Sequence, residues 1–230
     1  DHLYVVKDFI VTHNTLLALA GIRNNPEIPT LLISADDDPD VVVRKMMFYD
    51  GLVESVEDAW KVPSKLMASY VSENYPNLDI VDNVSWGPTA WNGKITPDQA
   101  IEQFMNDTDQ APQFIVYDYL GIEGADFART MEIAGWQKEM FRKLPQVGLV
   151  IAQSNRQGSK FEKNGDGQMV RRGFRMEDLG YGGEQQAGLM IGLSRAQSFV
   201  DGRVQYVIEA DVMKNKAVFD GSGITDPQHP

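Results

Sequence analysis

Cysteine is absent from all 230 residues, which excludes disulfides and thiolate metal sites and fits a reducing compartment. No apolar run approaches the roughly 18 residues of a membrane-spanning helix, and no signal-peptide pattern is present, so no membrane partner is expected. Positive charge is also in short supply. Lys and Arg number 21 against 33 Asp and Glu, a net charge of -12. That balance argues against a basic protein coating nucleic acid over its whole surface, but leaves room for a basic loop on an acidic body. Glycine and lysine are missing between Phe9 and Ala20, where "FIVTHNTLLALAGIR" passes from an apolar run into a helical pattern. A nucleotide-binding chain would carry its phosphate loop at such a place. The stretch is therefore a lost phosphate loop, an ordinary turn or something else.

What remains is the composition of an ordinary globular protein, at 43% hydrophobic and 23% charged, with enough apolar material for one α/β domain. The pattern predicts helices over Thr15–Ile22, Pro39–Leu52 and Phe127–Leu144, with Val42, Met46 and Tyr49 on one face of the second. "TPDQAIEQFMND" predicts another, with Thr96 as N-cap and Pro97 in the first position. "PTLLIS", "NLDIVDNV", "QFIVYDYLGI", "VGLVIA", "AGLMIGLSR" and "VQYVIEADVMKN" read as strands. Pro63–Gly93, rich in Trp, Pro and Gly, reads as an elaborated connection. Continuous apolar strands alternating with helices predict a mostly parallel sheet covered on both faces.

In such sheets ligands bind beyond the carboxyl ends of the strands. Polar residues stand there in order: Asp36, Asp37 and Asp38, then Asp118, then Gln153, Asn155 and Arg156. An Asp after an apolar strand can hold hydrated Mg²⁺ beside a nucleotide. A carboxylate on a neighbouring strand can orient an attacking water. Each signal alone reads equally as a strand-terminating turn. Lys160, Lys163, Arg171, Arg172 and Arg175 form the one long basic stretch, which by itself reads as a solvated loop.

"FIVYDYLGI", "VIAQSNRQ", "MEDLGYGGEQQAGLMIGLSR" and "DVMKNKAVFDGSG" occur in the order and spacing of the RecA-like core of DnaB-like (superfamily 4) replicative helicases. The chain resembles the bacteriophage versions in particular, over about Thr15 to Gly223. The resemblance implies a RecA-like P-loop NTPase fold, ATP and Mg²⁺ as cofactors, and translocation on single-stranded DNA by a homo-hexamer. It makes Asp118 the Walker-B carboxylate, Asp36 the catalytic carboxylate and Gln153 the γ-phosphate sensor, with Asn155 and Arg156 beside it. Lys214 and Lys216 would reach the neighbouring subunit's nucleotide, and the basic run from Lys160 to Arg175 would face DNA. Two departures stand out. Lys216 replaces the usual arginine finger and cannot contact phosphate bidentately. Asp36 is one methylene shorter than the usual Glu.

The family's GxxxxGK[ST] loop wraps phosphates with backbone N–H groups and offers a hydroxyl to Mg²⁺. From its threonine onward, "TLLALAGIR" is similar to the family's helix, which puts Thr15 at the metal-binding hydroxyl. Ahead of it, "DHLYVVKDFIVTHN" resembles the carboxyl-terminal end of an intein, as an apolar run closed by His-Asn before a hydroxyl residue. By that resemblance Thr15 accepts the upstream segment as an ester, Asn14 cyclises, and His13 and His2 assist. Residues 1–14 would be an intein remnant and 15–230 a helicase core, the downstream part of an interrupted gene. The chain opens on Asp1 rather than Met, and a fragment or processed product is the corresponding expectation.

Such a chain should bind ATP poorly alone and act as an ATP hydrolase once joined to its upstream helicase half. The implied setting is the cytoplasm of a bacterial host, with a primase or helicase loader as further partner. The alternatives are a catalytically inactive RecA-like assembly or DNA-binding module, and a recombinase or circadian-type relative.

Overall fold

Burial on both faces explains why the apolar runs do not alternate with polar residues. Leu31, Leu32 and Ile33 are all at most 2% exposed, although successive side chains of a strand point to opposite faces. The computed structural model describes residues 4–6, 9–11, 13–35, 37–85, 93–120, 127–143, 147–152, 161–163, 165–167, 169–171, 189–200 and 203–215. In chain order these form β1 (Tyr4–Val6), β2 (Phe9–Val11), α1 (His13–Arg23), β3 (Thr30–Ser34), α2 (Pro39–Tyr49), α3 (Val56–Lys61), α4 (Ser64–Asn74) and β4 (Leu78–Val81). There follow α5 (Pro97–Thr108), β5 (Phe114–Leu120), α6 (Phe127–Lys143), β6 (Val147–Ala152), β7 (Phe161–Lys163), β8 (Met169–Arg171), β9 (Leu189–Val200) and β10 (Arg203–Asn215). The chain divides into two compact units, Leu3–Gln153 in one and Ser154–Pro230 with Asp1–His2 in the other.

The first unit is built on a four-stranded sheet in the order β4-β3-β5-β6, all parallel. On one face α1, α2 and α4 bury Ala18, Leu19, Ile22, Val42, Met46, Met67 and Tyr70 against Leu32, Val116 and Ile151. On the other, α5 and α6 bury Ile101, Phe104, Ile133 and Met140 against Leu31, Ile33, Ile115 and Tyr117. Phe104 is fully buried, worth about 1.5–3 kcal/mol relative to exposure. The α/β class and the covered parallel sheet agree with the sequence reading, and so does the buried face of α2.

Local signals set several boundaries. The Thr96 hydroxyl accepts from the Gln99 N–H while the Gln99 side chain accepts from the Thr96 N–H, a reciprocal cap with Pro97 at the start of α5. Asp109 closes that helix in the left-handed region at φ 55°, which its short polar side chain tolerates. The stretch from Pro63 to Gly93 is more ordered than a plain connection, since it contains α4 as well as β4. Ser55 caps the short α3 before it by accepting from the Asp58 N–H. Arg44, 8% exposed, donates to the Ala59 and Val62 carbonyls at the end of α3 and lies 5.3 Å from the Trp60 ring centroid.

The second unit departs from the expectation of further parallel strands. β9 and β10 pair antiparallel in their own two-stranded sheet, with Val200 opposite Arg203. The two residues between them in the sequence are Asp-Gly, a pair that favours a tight hairpin. This local closure needs no crossover helix. β7 and β8 form a second antiparallel pair. Among the described residues no helix is long and apolar enough to cross a membrane.

Candidate functional site

The period of two along β5 sets the direction of Asp118. Ile115 and Tyr117 face α5 and α6, so Val116 and Asp118 face the side that carries α1. Asp118 lies at the carboxyl end of β5, in register with Ser34 of β3. On the β6 side the ladder is irregular between Tyr117 and Leu120. α1 packs over this face with its first turn above the strand ends, and there the Thr15 Oγ1 donates to Asp118 Oδ2 at 2.7 Å. Both side chains are buried, Thr15 at 5% and Asp118 at 4% exposure, and they are 103 positions apart in the chain. A carboxylate in so dry a place is held by hydrogen bonding or by a cation.

The turn after β3 closes one side of this corner. Ala35 N–H donates to the Asp118 carbonyl, and the Ser34 hydroxyl both donates to the Asp37 carbonyl and accepts from the Asp37 N–H. The Asp37 carboxylate is paired with the Lys45 ammonium, whose side chain is 4% exposed. Ser34, Asp37 and Lys45 thus tie the end of β3 to the start of α2. Sequence reasoning missed Lys45, although a signal existed: it stands three residues after Val42 and next to Met46, on the apolar face of α2.

Of the residues singled out from the sequence, Thr15 and Asp118 are the two brought together. His13 and Asn14 lie in the first turn of α1, Lys163 ends β7, Arg171 ends β8, and Lys214 lies near the end of β10; their backbone alone is described. Asp36, Gln153, Asn155, Arg156, Lys160, Arg172, Arg175, Lys216 and His2 lie outside the described residues.

Among the described residues no group of three or more His, Asp or Glu gathers to hold a metal by protein ligands alone. The Thr15–Asp118 pair suits a different kind of site. Mg²⁺ commonly keeps several waters and takes one or two carboxylates together with substrate phosphates. One hydroxyl and one carboxylate at hydrogen-bond distance fit that donor set.

A second polar cluster lies at the opposite end of α1. Tyr70 and Tyr75 donate to Asp50 Oδ2 at 2.6 and 2.7 Å, and Arg23 Nε lies 2.6 Å from Asp50 Oδ1. Burial first, then these bonds to Asp50, push both phenols above the ordinary tyrosine range. Burial alone raises Tyr49, which lines the adjoining cavity of about 110 Å³, to about 12. The cluster ties the ends of α1, α2 and α4 together on the amino-terminal edge of the sheet, away from the strand ends where Asp118 sits. No protein-family model matches the chain, and no curated protein matches it.

Proposed function

We propose that the chain is the downstream portion of a DnaB-like replicative DNA helicase, a RecA-like ATPase core whose phosphate loop is interrupted immediately before Thr15 by the end of an intein. The buried Thr15–Asp118 hydrogen bond at the carboxyl edge of a parallel sheet carries this reading. A magnesium–nucleotide site needs a hydroxyl from the start of a helix and a carboxylate from the end of a strand, side by side. Mg²⁺ there would be held by Thr15 and Asp118 and would neutralise charge on the β- and γ-phosphates of ATP. Thr15 donates its proton to Asp118 in this geometry, and a threonine hydroxyl oxygen is also an acceptor of the kind that Mg²⁺ takes as a ligand. Asp36 and Gln153 would position water and sense the γ-phosphate; Arg156, Lys214 and Lys216 would add positive charge around the nucleotide. Lys160, Lys163, Arg171, Arg172 and Arg175 would contact single-stranded DNA by its phosphates.

The test joins residues from Thr15 onward to an apolar strand and a glycine-rich loop ending in Lys, then measures ATP hydrolysis with and without single-stranded DNA. DNA-stimulated turnover is expected, and Asp118→Asn should abolish it. A folded product that hydrolyses nothing refutes the proposal. One observation favours a second reading, a RecA-like module that binds DNA or a replication partner without catalysis: no glycine or lysine lies between Phe9 and Thr15. Tight DNA binding by the joined protein without turnover is its signature.

A further inference from the structure

α1 reaches from the Thr15–Asp118 pair to the tyrosine cluster at the opposite edge of the sheet. Thr15 and Arg23 are eight residues apart, about 12 Å along a helix axis. Each meets a carboxylate from another element. Thr15 Oγ1 donates to Asp118 Oδ2 at 2.7 Å, and Arg23 Nε lies 2.6 Å from Asp50 Oδ1. Between these ends Ala18, Leu19 and Ile22 pack into the core against the sheet. The flank turned towards α2 is different. Leu16, Ala20 and Arg23, three or four residues apart on one side of the helix, line the cavity of about 110 Å³ together with Met46 and Tyr49. Atoms facing a gap forfeit the contacts that would hold them in register. Packing against α2 therefore resists axial movement of α1 only weakly.

Asp50 itself is held firmly. It closes α2, with its N–H donating to the Met46 carbonyl. Its Oδ2 accepts from Tyr70 of α4 and from Tyr75 at the end of that helix, at 2.6 and 2.7 Å, and both tyrosines are at most 6% exposed. The two rings brace each other edge to face, with centroids 5.6 Å apart. Two donors on one oxygen fix the carboxylate and leave Oδ1 to Arg23. That contact is an ion pair rather than an aligned hydrogen bond, so charge and distance matter more than angle. The Arg23 side chain is 52% exposed, and such a pair adds little to stability.

We propose that Asp50, held by Tyr70 and Tyr75, is a positioning residue that fixes α1 through Arg23 and thereby keeps the Thr15 hydroxyl on Asp118 at the other edge of the sheet. Lengthening the 2.7 Å bond by about 1 Å takes it out of hydrogen-bonding range, so a small slide of α1 is enough to break it. The placement is a property of this fold. Its consequence for magnesium and ATP rests on the function proposed above.

The test measures the coupling between Thr15→Val and Asp118→Ala in the full chain by urea unfolding, with Arg23 intact and again with Arg23→Met. With Arg23 the two substitutions should be non-additive by about five- to thirtyfold in the folding equilibrium constant. With Arg23→Met the coupling should fall to about twofold, the range of independent sites. Arg23→Lys keeps the charge and should restore most of it. Asp50→Ala should act as Arg23→Met does; if it fails to fold, the exposed Arg23 position still decides the matter. An ion pair with a merely structural role would lower stability equally in every background and leave the coupling unchanged. Backbone amide resonances give a second reading. Arg23→Met should shift those of Thr15 and Asp118 at the far end of α1, while those of α5, on the opposite face, stay in place.

Unchanged coupling in Arg23→Met, or resonance changes confined to the surroundings of Asp50, overturns the inference. In the joined protein described above, Arg23→Met should raise the Mg²⁺ concentration for half-maximal ATP hydrolysis by about tenfold, as loss of a group that orients a metal ligand does. Coupling that depends on Arg23 in a joined protein that hydrolyses nothing keeps the positioning role and sinks the ATPase reading. Hydrolysis with coupling that ignores Arg23 does the reverse.

Discussion

Replacing Thr15 with Val keeps a β-branched side chain in the first turn of α1 and removes the hydroxyl that donates to Asp118. The shape is nearly retained, so the expected loss comes from the hydrogen bond and not from a cavity. A bond to a carboxylate is worth about 1.5–3 kcal/mol net, and burial of both side chains places this one inside that range, at about 2 kcal/mol. For a chain of this size that corresponds to a fall in Tm of about 4–8 °C. Urea unfolding followed by tryptophan fluorescence measures it directly, because all 4 tryptophans fall within Leu3–Gln153. The midpoint should drop with the slope unchanged. Combining Thr15→Val with Asp118→Ala gives the coupling, expected at about 1–2 kcal/mol. Additivity within about 0.3 kcal/mol would mean that the two side chains do not meet in solution, and the site built on them would fall with it.

The Lys45–Asp37 pair should respond asymmetrically. Asp37→Ala strands a buried ammonium and should cost about 3–5 kcal/mol, whereas Lys45→Met substitutes an apolar stem, leaves a partly exposed carboxylate, and should cost under about 1.5 kcal/mol. Losses under about 0.5 kcal/mol for both variants in the same unfolding assay would place the pair in solvent, and equally large losses would refute the asymmetry. The tyrosines set an alkaline limit. Tyr49, raised by burial to about 12, stays neutral in the folded chain while the unfolded chain ionises near its ordinary value of 10. The folded state then binds more protons, so stability is intact below pH 10 and falls as pH rises towards about 12, and Tyr70, Tyr75 and Tyr117, all raised by burial first, act in the same direction. Absorbance titration of the phenols alongside urea midpoints checks this, and a stability that is flat from pH 9 to about 12 would contradict it.

Much of this molecule follows from windows of a few residues. The Thr96 cap, the turn into α2 at Pro39, and the unbroken apolar runs of β3, β5 and β6 are local, because capping bonds and strand burial act over one turn or one strand. Asp118 at a strand end was legible for the same reason, and the alternation along β5 already implied its face once the sheet existed. Other features had no local trace. That β3 lies between β4 and β5, and that Thr15 meets Asp118 across 103 positions, were decided when the helices divided between two faces and the crossovers took one hand. Lys45 shows the same limit on a smaller scale. Its place on the apolar face of α2 could be read from the spacing, but its partner could not: α2 packs over the turn after β3, where Asp37 offers the compensating charge. Periodicity dictates which side chains are buried, whereas the partner of each buried polar group depends on which distant segment the fold brings against it.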